Sequence, residues 1–308
     1  LKVLEVKDLH KSIGNKKIIK GISFSIDEGQ IFGFLGPNGA GKTTTIRMIV
    51  GLIAPNKGNV TICDYDVKSN KEAALKNVGA VVENPELYTY MTGMQNLMQI
   101  ARIDTRITKE HIENVIDLVG LKERINDKVK KYSLGMKQRL GIAEALLSSP
   151  RLLILDEPTN GLDPSGIKEF RDLIKKLAKE KNMAVFVSSH LLSEIQQLCD
   201  TVAFIDHGEI KSIESVTSSL SAVNDVENIE NIILSTPDIE KCKELITNFD
   251  YINNFSIDDS LIQIKINKGY TPQLVIDLTK NNIPIEEVYK KQQALEDRYM
   301  QLVEGGIK

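Results

Sequence analysis

Residues 31–44 read IFGFLGPNGAGKTT, and few folds accept that order of residues. A β-favouring apolar run, Ile31–Leu35, feeds a turn carrying Gly36, Gly39 and Gly41, and TTTIRMIVGL after it has helical character. A glycine-rich turn between a strand and a helix lets several backbone N–H groups curl toward one anion. The helix start adds its positive end. Gly36, Gly41, Lys42 and Thr43 match G-x-x-x-x-G-K-[ST], the spacing of a P-loop. This predicts an α/β fold of the P-loop NTPase kind, with Asn38, Gly39, Ala40, Gly41, Lys42, Thr43 and Thr44 around a nucleotide's phosphates. Lys42 would reach the β- and γ-phosphates, and the Thr43 hydroxyl would ligate Mg²⁺.

The surrounding pattern fits. Short β-rich runs alternate with helical stretches over residues 1–215, the sign of a parallel sheet. Strands are expected at Val3–Val6, Ile31–Leu35, Val78–Val82, Leu152–Leu155, Ala184–Ser188 and Val202–Ile205. Between Pro85 and Pro150 the pattern is helical, which reads as a helical insertion. A Ser-rich linker is expected over 216–227, then a small α+β domain over 228–308. Its order is a strand at Asn231–Leu234, a helix opened by Thr236-Pro237, a hairpin around Asp258-Asp259-Ser260, a helix from Thr271-Pro272 and a short strand near Ile283–Ile285. This β-α-β-β-α-β order is ferredoxin-like; a last helix over 289–303 closes the chain.

Three cysteines in 308 residues, far apart, read as reduced buried thiols. A net charge of −3 argues against a general nucleic-acid binder. The chain has neither a run long enough to span a bilayer nor a signal-peptide core at its start. Work at a membrane would therefore need a partner.

LLILDEPTNGLDP at 152–164 is an apolar strand ending in two acids. In a P-loop site, a strand-end carboxylate such as Asp156 holds Mg²⁺, and the adjacent Glu157 can polarise an attacking water as a general base. VFVSSHLLSEI delivers His190 to the end of another apolar strand, where it could contact the γ-phosphate or that water. In YSLGMKQRLGIAEALL at 132–147, Ser133 and Gly135 open a long helix, a second anion-facing helix start. A second anion site implies a nucleotide contact made by another subunit.

This constellation resembles the nucleotide-binding subunits of ABC transporters over residues 1 to about 215. GPNGAGKT corresponds to Walker A, SLGMK to the signature, LLILDE to Walker B, GLD at 161–163 to the D-loop and His190 to the switch histidine. The resemblance implies an ATPase bound to integral membrane permease subunits at the cytoplasmic face. It also implies a second copy of the domain, with Ser133 and Gly135 of one copy meeting the ATP held by Lys42 of the other.

Three positions depart from the family's pattern. Ile13 stands where an aromatic residue usually stacks on adenine. Leu134-Gly135 replaces the signature's usual glycine pair. Glu83 occupies the place of a glutamine that contacts Mg²⁺ or the catalytic water and reports to the membrane subunit. A glutamate accepts from metal-bound water but cannot donate an N–H. Glutamate here, with SLGMKQRLGIA and a small C-terminal domain, looks like the ATPases of lantibiotic self-immunity and bacitracin-type resistance exporters. PELYTYMTGM at 85–94 would then face the permease, with Leu87, Tyr88 and Tyr90 as apolar anchors. Other readings are an exporter ATPase for another substrate (a drug, an ion or a polysaccharide), a soluble ABC-type mechanical ATPase, and a regulatory module with ATP as a slow clamp.

Overall fold

The computed structural model describes residues 1–216, 229–258 and 261–290, and contains two compact units, Leu1–Val216 and Thr217–Lys308. All of the expected linker but Val216, the hairpin's tip and nearly all of the expected last helix lie outside the described residues.

The first unit has two sheets. One is antiparallel, in the order β2 (Lys16–Asp27), β1 (Lys2–Ile13), β4 (Lys57–Ile62) and β5 (Tyr65–Asp66). The sequence reading recovered only Val3–Val6 of it. Glycines, charges and bulges interrupt the alternation along β1 and β2, so most of their length lacks a clean two-residue period. The second sheet has six strands: β10 (Glu209–Ser215), β9 (Thr201–Asp206), β3 (Ile31–Leu35), β8 (Ala184–Ser189), β7 (Leu152–Asp156) and β6 (Val78–Val81). All its pairings are parallel except that of β10 with β9. Strands β3, β7 and β8 are buried along their whole length, as continuous apolar runs in a parallel sheet require.

Helix α1 (Lys42–Ile49) shares one hydrophobic core with both sheets through Ile46, Met48 and Ile49. Phe24 on β2 stacks on Phe32 of β3 (5.2 Å between centroids) and on Phe186 of β8 (5.8 Å). Each of these nearly dry rings contributes roughly 2 kcal/mol of burial. The core thereby fixes the strand ends from which the site projects. Helix α7 (Leu192–Leu198) reaches β3 through Ile195, and α6 (Pro164–Lys181), which also packs on α7, buries Phe170, Ile174 and Leu177.

Between β6 and β7 the chain is helical: α3 (Gly93–Ile103), α4 (Lys109–Leu118), a 3₁₀ turn (Val129–Lys131) and α5 (Leu134–Leu146). Thr92 starts α3 with a capping box shared with Gln95, and Thr108 caps α4. A five-residue helix, α2 (Lys71–Leu75), precedes β6.

The second unit carries β11 (Ile229–Ser235), α8 (Ile239–Ile246), β12 (Ile252–Asp258), β13 (Leu261–Asn267), α9 (Thr271–Lys280) and β14 (Glu287–Lys290). Its antiparallel sheet runs β12-β13-β11-β14, the pairing of a ferredoxin-like fold. Three details correct the sequence reading. Pro237 lies outside α8, because Asp238 occupies the cap. Ile283 is buried under the sheet before the strand begins, so the last strand is Glu287–Lys290. Tyr289 and Lys290 pair with Ile233 and Ile232 as strand residues, so the helix expected from Tyr289 does not begin there.

Candidate functional site

The strand ends β3, β7, β8 and β6 deliver the predicted residues to one edge of the six-stranded sheet, where open α/β sheets place ligands. Gly41 caps α1 with φ +112° and abuts Ile19, a conformation and a closeness that an L side chain resists. Asn38 and Gly39 are exposed, Ala40 is buried, and Thr43 and Thr44 are half-buried in the first turn of α1.

Lys42 is 5% exposed, and its ammonium donates to the carbonyls of Gly36 (2.7 Å) and Pro37 (3.2 Å). It also pairs with Glu157 Oε1 at 3.1 Å. The other carboxylate oxygen of Glu157, Oε2, lies 2.7 Å from His190 Nδ1. Burial raises the Glu157 carboxyl, but His190 and Lys42 outweigh it and hold the group below its usual range. An ionised Glu157 is in the form that can accept a proton. Glu157 adopts φ +48°, a left-handed conformation that turns it out of line with β7.

Asp156, 1% exposed, accepts from Ser188 Oγ at 2.5 Å through Oδ1, while its Oδ2 is buried without a hydrogen-bond partner. A buried orphan carboxylate oxygen is costly unless a cation or ordered water completes it, so this donor set fits a hard divalent ion. Among the described residues no cluster of three acidic, His or Cys side chains could hold a metal alone. Mg²⁺ takes one or two protein oxygens and the rest from phosphates and water, so the single free oxygen of Asp156 fits it.

Ser188 was not foreseen, although the two serines at the end of VFVSS are a signal: hydroxyls inside a buried strand need partners. Ser188 Oγ also accepts from the Glu157 backbone N–H at 3.0 Å. Glu194 was likewise missed. It accepts from Thr159 and, at 3.3 Å, from Ser189, joining the segment after β7 to the turn that carries His190.

Other predicted residues stand apart from this chain of contacts. Glu83 leaves β6 with φ +64°; its carboxylate pairs with Arg47 of α1 at 2.6 Å, with side chains 59% and 46% exposed. Ile13 is 58% exposed at the end of β1. Ser133 caps α5 by accepting from Met136 N (3.2 Å), and Gly135 lies beside Leu162. Among the described residues neither Ser133 nor Gly135 is hydrogen-bonded to the 36–44 loop. Tyr88 and Tyr90 are exposed and meet edge to face at 6.0 Å.

A P-loop, an adjacent acid pair and a histidine at neighbouring strand ends define a nucleoside-triphosphatase. Residues 19–160 match the family model described as ABC transporter. The chain is similar to the uncharacterized ABC transporter ATP-binding protein YhcH of Bacillus subtilis (strain 168), with 47% identity covering 97% of this chain and 95% of that one. The bacitracin transport ATP-binding protein BcrA of Bacillus licheniformis is 40% identical, over 99% of this chain and 98% of its own. Among solved structures, an ATP-binding subunit of an ABC transporter aligns with a TM-score of 0.63 and 29% identity, over 70% of this chain and 91% of that one. The protein belongs to the ABC transporter ATP-binding family and is an ATPase. No helix among the described residues is long and apolar enough to cross a membrane.

Proposed function

We propose that this chain is the ATP-hydrolysing subunit of an exporter that removes a peptide antibiotic of the bacitracin or lantibiotic kind through separate membrane subunits. The linked set Lys42–Glu157–His190, beside the free oxygen of Asp156, carries the catalytic part of this reading. Lys42 exchanges its contacts with Glu157 and the loop carbonyls for the β- and γ-phosphates. Glu157, released from Lys42, accepts a proton from the attacking water, while His190 stays bonded to it and fixes its direction. Thr43 and Asp156 would hold Mg²⁺, which when bound would supply positive charge against the phosphates. Ser133 and Gly135 present an exposed helix start that a second copy's nucleotide would complete. Ile13 offers adenine an apolar contact without ring stacking.

The similarity to BcrA over nearly the whole of both chains supports the substrate class. Glu83 is the proposed reporter to the membrane subunit. An exposed ion pair is worth at most about 1 kcal/mol, so Arg47 releases Glu83 readily when the site fills. The test is growth of a sensitive host expressing the chain with its membrane subunits, under a panel of bacitracin and lantibiotics. Lys42→Ala should abolish protection; protection unchanged in that variant sinks the reading. Glu83→Ala should impair protection more than ATP binding. The opposite order would make Glu83 a metal ligand instead.

A further inference from the structure

Strands β7 and β8 carry Glu157 and His190 to the sheet edge, and each has a buried hydroxyl close by in sequence. Thr159, 8% exposed, lies two positions after Glu157, and Ser189, 2% exposed, immediately precedes His190. Both hydroxyls donate to the same carboxylate oxygen, Oε2 of Glu194, the second of them at 3.3 Å. Glu194 stands in the first turn of α7, yet it does not serve its own helix: the cap residue is Leu191, and no side chain bonds the start. The helix is seated on the strand that feeds the phosphate loop, since a Cβ on Gly33 of β3 would come within 2.8 Å of Ile195. Ser189 reaches the loop as well, because its carbonyl accepts from the Gly36 N–H at 3.3 Å. One acceptor oxygen therefore joins the segment after Glu157, the segment before His190 and a helix packed on β3.

Glu157 needs such support. Its φ of +48° is a conformation that lasts only where the surroundings over-determine it, and two of its present side-chain contacts are Lys42 and His190. Once Lys42 turns to phosphate, only the histidine contact remains of the two. Resting on the roles proposed above for Glu157 and His190, we propose that Glu194 is a positioning residue for ATP hydrolysis. Through Thr159 and Ser189 it keeps the acid and the histidine within reach of each other while Lys42 is engaged elsewhere. Its effect falls on the chemical step, because the two hydroxyls lie behind Glu157 and His190 in the chain and outside the 36–44 loop that would grip the nucleotide.

Steady-state ATPase rates of the full chain with magnesium, read beside its thermal unfolding, test this. Glu194→Ala should lower kcat about tenfold or more, the scale of a misplaced reacting group, while KM for ATP stays within about twofold of wild type. Thr159→Val, which keeps the side chain's shape and removes one donor, should lower kcat in the same way. Glu194→Gln retains an acceptor oxygen and should recover most of the lost rate. Combining Glu194→Ala with Thr159→Val should be no slower than Glu194→Ala alone, because the bond is already broken. A kcat within about twofold of wild type in Glu194→Ala overturns the proposal, as does a rise in KM that matches the fall in kcat. Glu194→Gln as slow as Glu194→Ala overturns it too, and so do losses that multiply in the double variant. Wild-type turnover in Glu157→Gln beside a slow Glu194→Ala would refute the base assignment instead, leaving Glu194 to position His190 alone.

Discussion

At the scale of single residues, the site is a short relay of charge, and Glu157 in it and Glu144 of α5 behave oppositely because their neighbours differ. Glu157 has Lys42 and His190 and is held ionised; Glu144 has only burial and is pushed up to about 7. Glu157→Gln keeps the shape and removes the proton acceptor. Phosphate release should fall by at least about 10²-fold, the usual contribution of a general base, while ATP stays bound. Wild-type turnover in that variant removes the base assignment. Glu144 makes a prediction about stability. A carboxyl near its ordinary value of 4.5 when unfolded and near 7 when folded binds more protons in the native state. Its contribution is complete below pH 4.5 and lost as pH rises through 7, so ionisation costs about 3 kcal/mol in the alkaline limit. In the isolated chain, Glu144→Gln should therefore raise Tm by several degrees at pH 8.5 and change it little at pH 5. An unchanged difference between those two pH values would contradict burial as the cause. The residues of the phosphate loop, Asp156, Glu157 and His190 were legible from their spacing, because motif chemistry is local. Ser188, Glu194 and Arg47 were not, since Asp156, Thr159 and Glu83, to which they bond, lie 32–36 positions away and only folding brings them together.

At the scale of elements, the geometry of the candidate site depends on strands that end in register. Asp156 of β7 pairs with Ser188 of β8, so one register places both Asp156 and His190, two residues further on, at the same sheet edge. Ser188 then fastens Asp156 and the Glu157 backbone together. Ser188→Ala should lower kcat more than it raises KM for ATP, and cost about 1–3 kcal/mol of stability for the buried acid left short of a donor. Steady-state kinetics beside denaturant unfolding would separate the two, and unchanged kcat refutes a positioning role. The parallel strands were readable because burial on both faces writes continuous apolar runs such as LLILD and AVFVS. The antiparallel β2-β1-β4-β5 sheet was mostly not, because bulges and exposed edges blur its period. In the second unit the order of elements was legible while the last strand was misplaced: Ile283 and Ile285 are apolar because they pack on the core, and Glu287–Lys290, whose alternation of charged ends around Val288 and Tyr289 is short, completes the ladder. Gly141 belongs to this scale as well. Gly141→Ala forces Pro85 away from α5, an overpacking worth roughly 1–3 kcal/mol.

For the whole molecule, the relation between the two anion-facing helix starts matters most. Within one copy, Gly41 opens α1 over the phosphate loop, whereas Ser133 opens α5 at an exposed position bonded only to its own first turn. Gly161 and Leu162 lie against Leu134 and Gly135, so the segment following Glu157 reaches α5 of the same copy. On the function proposed above, such a helix start would cap a γ-phosphate bound by a second copy. ATP itself would then join two copies, and hydrolysis would remove the joint. In the Glu157→Gln background, where ATP persists, scattering should show the mass doubling from 34.4 kDa on adding ATP and magnesium. Adding Ser133→Glu, which sets a negative charge against the γ-phosphate, should abolish that doubling while each chain still binds one nucleotide. Doubling that survives Ser133→Glu would move the interface elsewhere. Full-rate hydrolysis by a wild-type chain that remains a monomer would make the exposed signature helix irrelevant to catalysis.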